Sequence, residues 1–331
     1  MKQRVMQLGV VAFGFLAGLM APLPAQANAW THLEGALATP IPPDNFPEVS
    51  KVLLAGAALK APVPPAELAA VRKLALGGLL PLAKAWSKAA AEKTCEVTGT
   101  KLDDRLTVLK QGRALLEAAV AGVDAREQVL AVHRVGLLMG QCKGAGMVGL
   151  VVGQSLQQNA INVAHWLWNQ GGLDGPGRAA VVGVALLGPL DVARALEEER
   201  VRSNAEVAAL ETLPAGFDRA ATVELLDALH KAAVTAVKNK VTPTLDTLRA
   251  AAKTKDPRAD PELMRLMQRA KAKQTLTPEE EKTLAQPNLT GRLYAFSVVG
   301  GMLSNLGNSL NALEDLKAKH AALASNNLPR K

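Results

Sequence analysis

Apolar residues recur at steps of three and four along nearly the whole chain, the spacing that lays an apolar stripe down one side of a helix. Two stretches depart from the usual mixture by carrying no charge. Between Lys143 and Asp174 lie 30 consecutive uncharged residues, and between Arg292 and Glu314 another 21. In the first, Gln154, Gln158, Asn162, His165 and Asn169 follow one another at steps of four, four, three and four, so one helical face is polar yet neutral. In the second, Ser297, Gly301, Ser304, Asn308 and Asn311 repeat the pattern. Segments so poor in charge are expected to be buried, which predicts two central helices, about 145–169 and 293–313, in contact with each other. Gly149, Gly153, Gly300 and Gly301 are the expected points of close approach. A membrane-spanning pair is the weaker reading, because several amides and a histidine are costly in hydrocarbon.

Proline, glycine and capping residues divide the remaining pattern. Four prolines in 39–47 read as an extended arm, after which Asn45 can cap a helix containing Pro47 and Glu48 in its first turn. A long pattern over 66–93 is expected to kink near Pro81. Helices follow over about 103–122, 124–141 and 145–169, then a glycine-rich turn and a pattern interrupted at Gly188-Pro189, whose charged second half reads as solvent-facing. Further helices are expected over 218–240, 242–252, 261–273 and 288–324. Thr277-Pro278-Glu279-Glu280 carries a complete helix start, with Thr277 as cap and Glu280 closing the capping box. Pro214 and Gly216 mark a possible boundary near 214–216. The neutral segment beyond them still needs an apolar partner, which favours one domain over 28–331.

With aromatics at 3 % and hydrophobic residues at 49 %, the class is all-α, an irregular multi-helix bundle. The N-terminus carries an export signal: Lys2 and Arg4, an apolar run to Met20, then the small-residue sites Ala25-Gln26-Ala27 and Ala27-Asn28-Ala29. Residues 1–27 are therefore read as a signal peptide, with cleavage after Ala27 or Ala29 and delivery to the periplasm or the medium. The two cysteines, Cys95 and Cys142, are an even count in an exported chain, and antiparallel helices bring both to one end of the bundle; a disulfide is expected.

The segment 103–199 resembles uncharacterised helical proteins exported by bacteria. The likeness lies in its helical pair, the glycine-bearing stretch around Gly149 and Gly153, and Leu187-Gly188-Pro189-Leu190-Asp191 leading into Arg194-Ala195-Leu196-Glu197. The resemblance implies a helical exported protein and brings no activity with it.

Candidate chemistry is sparse. The chain has no phosphate-binding glycine loop, no nucleophile elbow and no His-Glu-x-x-His metal helix. Asp227 and His230, at helical spacing, come nearest to a metal pair and read as a surface feature. No metal or cofactor is expected, and an enzyme is disfavoured. Once Lys2 and Arg4 are set aside, all net charge falls in 231–292, with 13 basic and seven acidic residues. That stretch has no aromatic residue to stack on bases, so nucleic acid is excluded; weak contact with an anionic membrane surface through 231–292 remains, with Leu263, Met264, Leu266, Met267 and Ala270 as an interfacial stripe. The leading functional reading is a non-enzymatic interaction or scaffold protein of the bacterial envelope with a protein partner. The alternative is a soluble ligand-binding protein whose cleft is lined by Gln154, Gln158, Asn162, His165, Trp166 and Asn308.

Overall fold

A computed structural model describes residues 28–41, 46–55, 62–97 and 102–325. The signal segment 1–27 and Asn45, the expected cap, lie outside them. The described residues form an all-α bundle: α1 (Ala29–Glu34), α2 (Pro47–Ala55), α3 (Pro65–Gly78), α4 (Leu80–Ala91), α5 (Leu102–Val120), α6 (Ala125–Gly140), α7 (Gly146–Gln170), α8 (Gly175–Val182), α9 (Pro189–Ala208), α10 (Arg219–Lys238), α11 (Leu245–Ala252), α12 (Pro261–Lys271), α13 (Pro278–Leu284) and α14 (Leu289–Ala324). No helix among them is long and apolar enough to cross a membrane.

Local signals account for most boundaries. Asp218 accepts from the Ala221 amide at 3.0 Å to start α10. At α13 the expected box closes in both directions, Glu280 N to Thr277 Oγ1 at 3.2 Å and Thr277 N to Glu280 Oε2 at 2.8 Å. The pattern expected as one kinked helix over 66–93 is two helices instead. α3 ends at Gly78, and Pro81 stands in the first turn of α4, where a missing N–H leaves no helical bond unmade. α1 was not anticipated; Asn28 caps it by accepting from the Trp30 amide at 2.8 Å.

α7 is the central element. Leu156, Ala160, Val163 and Ala164 belong to a core shared with α1–α6 and α8, whereas Met147, Leu150 and Ile161 belong to a second core built by α9, α10, α11 and α14. One neutral helix therefore serves as the wall between two apolar layers, which explains why it carries no charge on any face. Pro214 and Gly216 lie in the connection between α9 and α10, within the second layer.

Glycines set a close helix approach, but not where the sequence placed it. Gly153 of α7 meets α6: a Cβ there would lie 2.4 Å from Gly136 O and 2.5 Å from Gly140 N, and one on Gly136 would lie 2.9 Å from Gly153 O. The expected pairing of Gly149 and Gly153 with Gly300 and Gly301 does not occur. Gly300 sits against the Arg258 guanidinium and Gly301 faces open space. Gly153→Ala is expected to destabilise the fold by about 2 kcal/mol despite the higher helix propensity of alanine, because backbone atoms must separate. Gly307→Ala, with nothing within 4 Å, is expected to stabilise by about 0.5–1 kcal/mol. Urea unfolding midpoints of the two variants check the pair.

The disulfide forms as expected. Cys95 and Cys142 are bonded with Cα atoms 4.5 Å apart. Beside it, Val97 N donates to Lys143 O at 2.8 Å and Lys143 N to Cys95 O at 3.0 Å.

Candidate functional site

The neutral polar face of α7 is used mainly to hold neighbouring helices. Gln154 Nε2 donates to Ser309 O at 3.1 Å, tying α7 to α14. Asn162 Nδ2 donates to Leu53 O at 2.8 Å and Leu54 O at 3.1 Å, meeting carbonyls in the last turn of α2. His165 Nε2 donates to Lys319 O at 2.8 Å; burial holds its imidazole below the usual histidine range, against the opposing pull of that carbonyl. With its amide turned to satisfy the surrounding groups, Gln158 donates to Asp315 Oδ2 at 3.2 Å and accepts from Lys319 Nζ at 2.9 Å. Trp166 is buried, with no partner for its Nε1 among the described residues.

Of the six residues expected to line a cleft, the structure brings together three. Gln154, Gln158 and Asn308 border a shallow groove between α7 and α14, completed by Val151, Ser155 and Asn305, with a volume of about 290 Å³. Asn162, His165 and Trp166 lie away from it. The groove has neither a charged nor an aromatic lining residue, and its volume sits at the lower limit of small-molecule sites.

The second neutral stripe corrects the expectation that both neutral segments are buried central helices. α14 touches α7, as expected, but only one side of its neutral part is covered: Ala295, Phe296, Val299, Leu306, Ser309 and Leu313 are buried. Ser297, Gly301, Ser304, Asn305, Asn308 and Asn311 face solvent. The same helix is heavily charged a turn later, where Glu314 pairs with Lys317 and Asp315 with Lys319. α14 thus exposes a neutral face made of small and amide side chains, continuous with the groove beside α7.

Comparison with protein-family models, curated proteins and solved structures returned no match. The site is therefore read from its own chemistry.

No group of three or more metal-ligating side chains comes together among the described residues. Asp227 pairs with Arg200 and Lys231, while His230 is buried and bonded through Nδ1 to Leu226 O at 2.9 Å, so the two do not converge. The charged half of α9, expected to face solvent, instead clamps the turn between α6 and α7. Glu198 Oε2 accepts from Gly146 N at 2.8 Å and Glu199 Oε1 from Met147 N at 2.9 Å, placing carboxylates at an otherwise uncapped helix start. Arg194 donates to Gly140 O at 2.7 Å, meeting the last carbonyls of α6. These pairings use the Asp191 to Glu199 region structurally. Sequence reasoning also missed Gln157, fully buried, which donates to Ala185 O at 2.9 Å and accepts from Leu187 N at 3.1 Å; its polarity at a core position was the available signal.

Proposed function

We propose that this is an exported, non-enzymatic interaction or scaffold protein of the bacterial envelope, and that the neutral exposed face of α14 is its docking surface. The observation that carries the reading is 21 residues without charge whose outer side is nonetheless exposed in the single chain. Charge is depleted where a surface becomes the centre of a protein interface. Serine hydroxyls and asparagine amides both donate and accept, so the face is complementary to a copy of itself. Gly301 and Ser304 are small enough to let a second helix approach closely, and a two-fold arrangement closes such a contact. The partner assigned to the face is thus a second copy of the chain.

Export rests on the basic and apolar N-terminus and on the disulfide, which persists in oxidising compartments. Of the two candidate cleavage positions, the one after Ala27 is favoured. It keeps Asn28 as the cap of α1 and keeps Ala29 N bonded to Thr94 O at 3.0 Å.

Sedimentation of the exported chain, whose mass on this reading begins at Asn28, tests the proposal. The wild type is expected to associate, and Ser304→Arg/Asn308→Arg to sediment as a folded monomer that has lost only the stabilisation contributed by association, because both side chains are exposed. A wild type that stays monomeric at every concentration, or a variant that associates equally well, would overturn it.

A further inference from the structure

A second feature lies in the basic segment. The connection from α11 to α12 passes the start of α14 and borders an open pocket of about 850 Å³, lined among others by Arg249, Lys253, Lys255, Asp256, Asp260 and Arg292. Four cationic side chains there face two acidic ones, and both acids are already engaged. The Asp256 carboxylate is almost fully buried; it accepts from Arg249 Nη2 at 3.0 Å and from Arg258 Nε and Nη2 at 3.0 and 2.9 Å. Asp260 accepts from Glu262 N at 3.1 Å and Leu263 N at 3.0 Å as the cap of α12.

The remaining cations have no acidic counterpart. No carboxylate among the described residues lies within ion-pair distance of Lys253 or Lys255, and Arg292 donates to the neutral Gln286 Oε1 at 2.7 Å. Lys253 also adopts a left-handed backbone, φ +51°, at the end of α11, where glycine or asparagine would be free of strain. The negative end of the α11 dipole accounts for one cation at this place but not for Lys255 and Arg292. The expected alternative, an apolar stripe on α12 laid on a bilayer, is weakened because Leu263 and Leu266 are buried.

We infer that this cavity is a binding site for a phosphate-bearing anion, held by Lys253, Lys255 and Arg292. Two ammonium groups from one connection and a guanidinium from α14 suit an anion with several charged oxygens. The phosphate can come from a lipid headgroup or from a soluble compound. The proposal uses none of the docking residues on α14, so either one can fail alone.

The test is a calorimetric titration of the full exported chain with inorganic phosphate, with chloride as reference, alongside adsorption to phosphatidylcholine vesicles with and without phosphatidylglycerol. The pocket variant is Lys253→Gln/Lys255→Gln; Lys271→Gln/Lys273→Gln makes the same charge change at exposed positions outside the cavity. Saturable phosphate binding above chloride, weakened at least tenfold in the pocket variant and little in the other, is expected. Phosphatidylglycerol-dependent adsorption with the same variant pattern, alone or together with phosphate binding, supports the site and assigns its ligand to a headgroup; phosphate binding without adsorption supports it and assigns a soluble ligand. Failure to bind either probe, or equal losses in both variants, overturns it.

Discussion

Removing the Cys95–Cys142 bridge, by reduction or as Cys95→Ala/Cys142→Ala, is expected to lower the unfolding free energy by about 4 kcal/mol. The bond closes a loop with a sequence separation of 47, and the chain-entropy model assigns that stabilisation mainly to restriction of the unfolded chain. A domain of ordinary stability holds only about 5–15 kcal/mol in total, so the loss is large. Little else can replace the bridge. The neighbouring Lys143–Glu96 ion pair is exposed, and the backbone pairing beside it consists of a single isolated bridge at Glu96 and Lys143. Urea unfolding of the oxidised and reduced protein measures the difference. A loss below about 1 kcal/mol would show that the chain does not depend on this closure.

Acidification is expected to weaken the fold through His133. This side chain is completely buried in α6, neither ring nitrogen has a hydrogen-bond partner among the described residues, and burial pushes its pKa down to about 3, with nearby His320 and Arg134 acting in the same direction. An unfolded histidine takes up a proton near pH 6.5, whereas the folded one stays neutral. The unfolded state therefore binds more protons between about pH 6.5 and pH 3, and stability falls across that window as the pH is lowered. From pH 6.5 to 4.5 the contribution is about 2.3 kcal/mol, a little under 1.4 kcal/mol per unit because the unfolded histidine is already half protonated at pH 6.5. Buried His165 and His230, also lowered by burial, add in the same sense. His133→Leu is expected to flatten the fall in urea midpoint between pH 7.5 and pH 4.5, while carboxylate protonation affects variant and wild type alike. Equal pH dependence in the two proteins would count against this assignment.

Periodicity and capping chemistry made the elements legible. The Thr277 and Glu280 box, a helix over 218–240 and the neutral buried α7 all follow from local pattern, and counting antiparallel helices placed the two cysteines at one end. Neighbour identity was not legible. A glycine on a helix face announces close approach but not which helix approaches, so Gly153 was assigned to α14 when its partners are Gly136 and Gly140. Charge on α9 was read as solvation because sequence does not reveal that uncapped backbone groups stand opposite Arg194, Glu198 and Glu199. α1 was missed because six residues are too few to establish a helical period.

The candidate surface shows the same limit in a more useful form. Lack of charge signals removal from water, yet it does not distinguish burial in the chain's own core from burial against another chain. α7 realises the first possibility. For Ser297, Gly301, Ser304 and Asn308, exposed on α14, the account assigns the second. The most direct test is a pulsed dipolar measurement on the chain from Asn28 with a nitroxide on Ala318→Cys, an exposed position of α14 beyond the neutral face, the native cysteines being held in their disulfide. A defined intermolecular distance between labels is expected, abolished by dilution with excess unlabelled protein. A signal that reports only isolated spins, from a chain that remains folded, would contradict it.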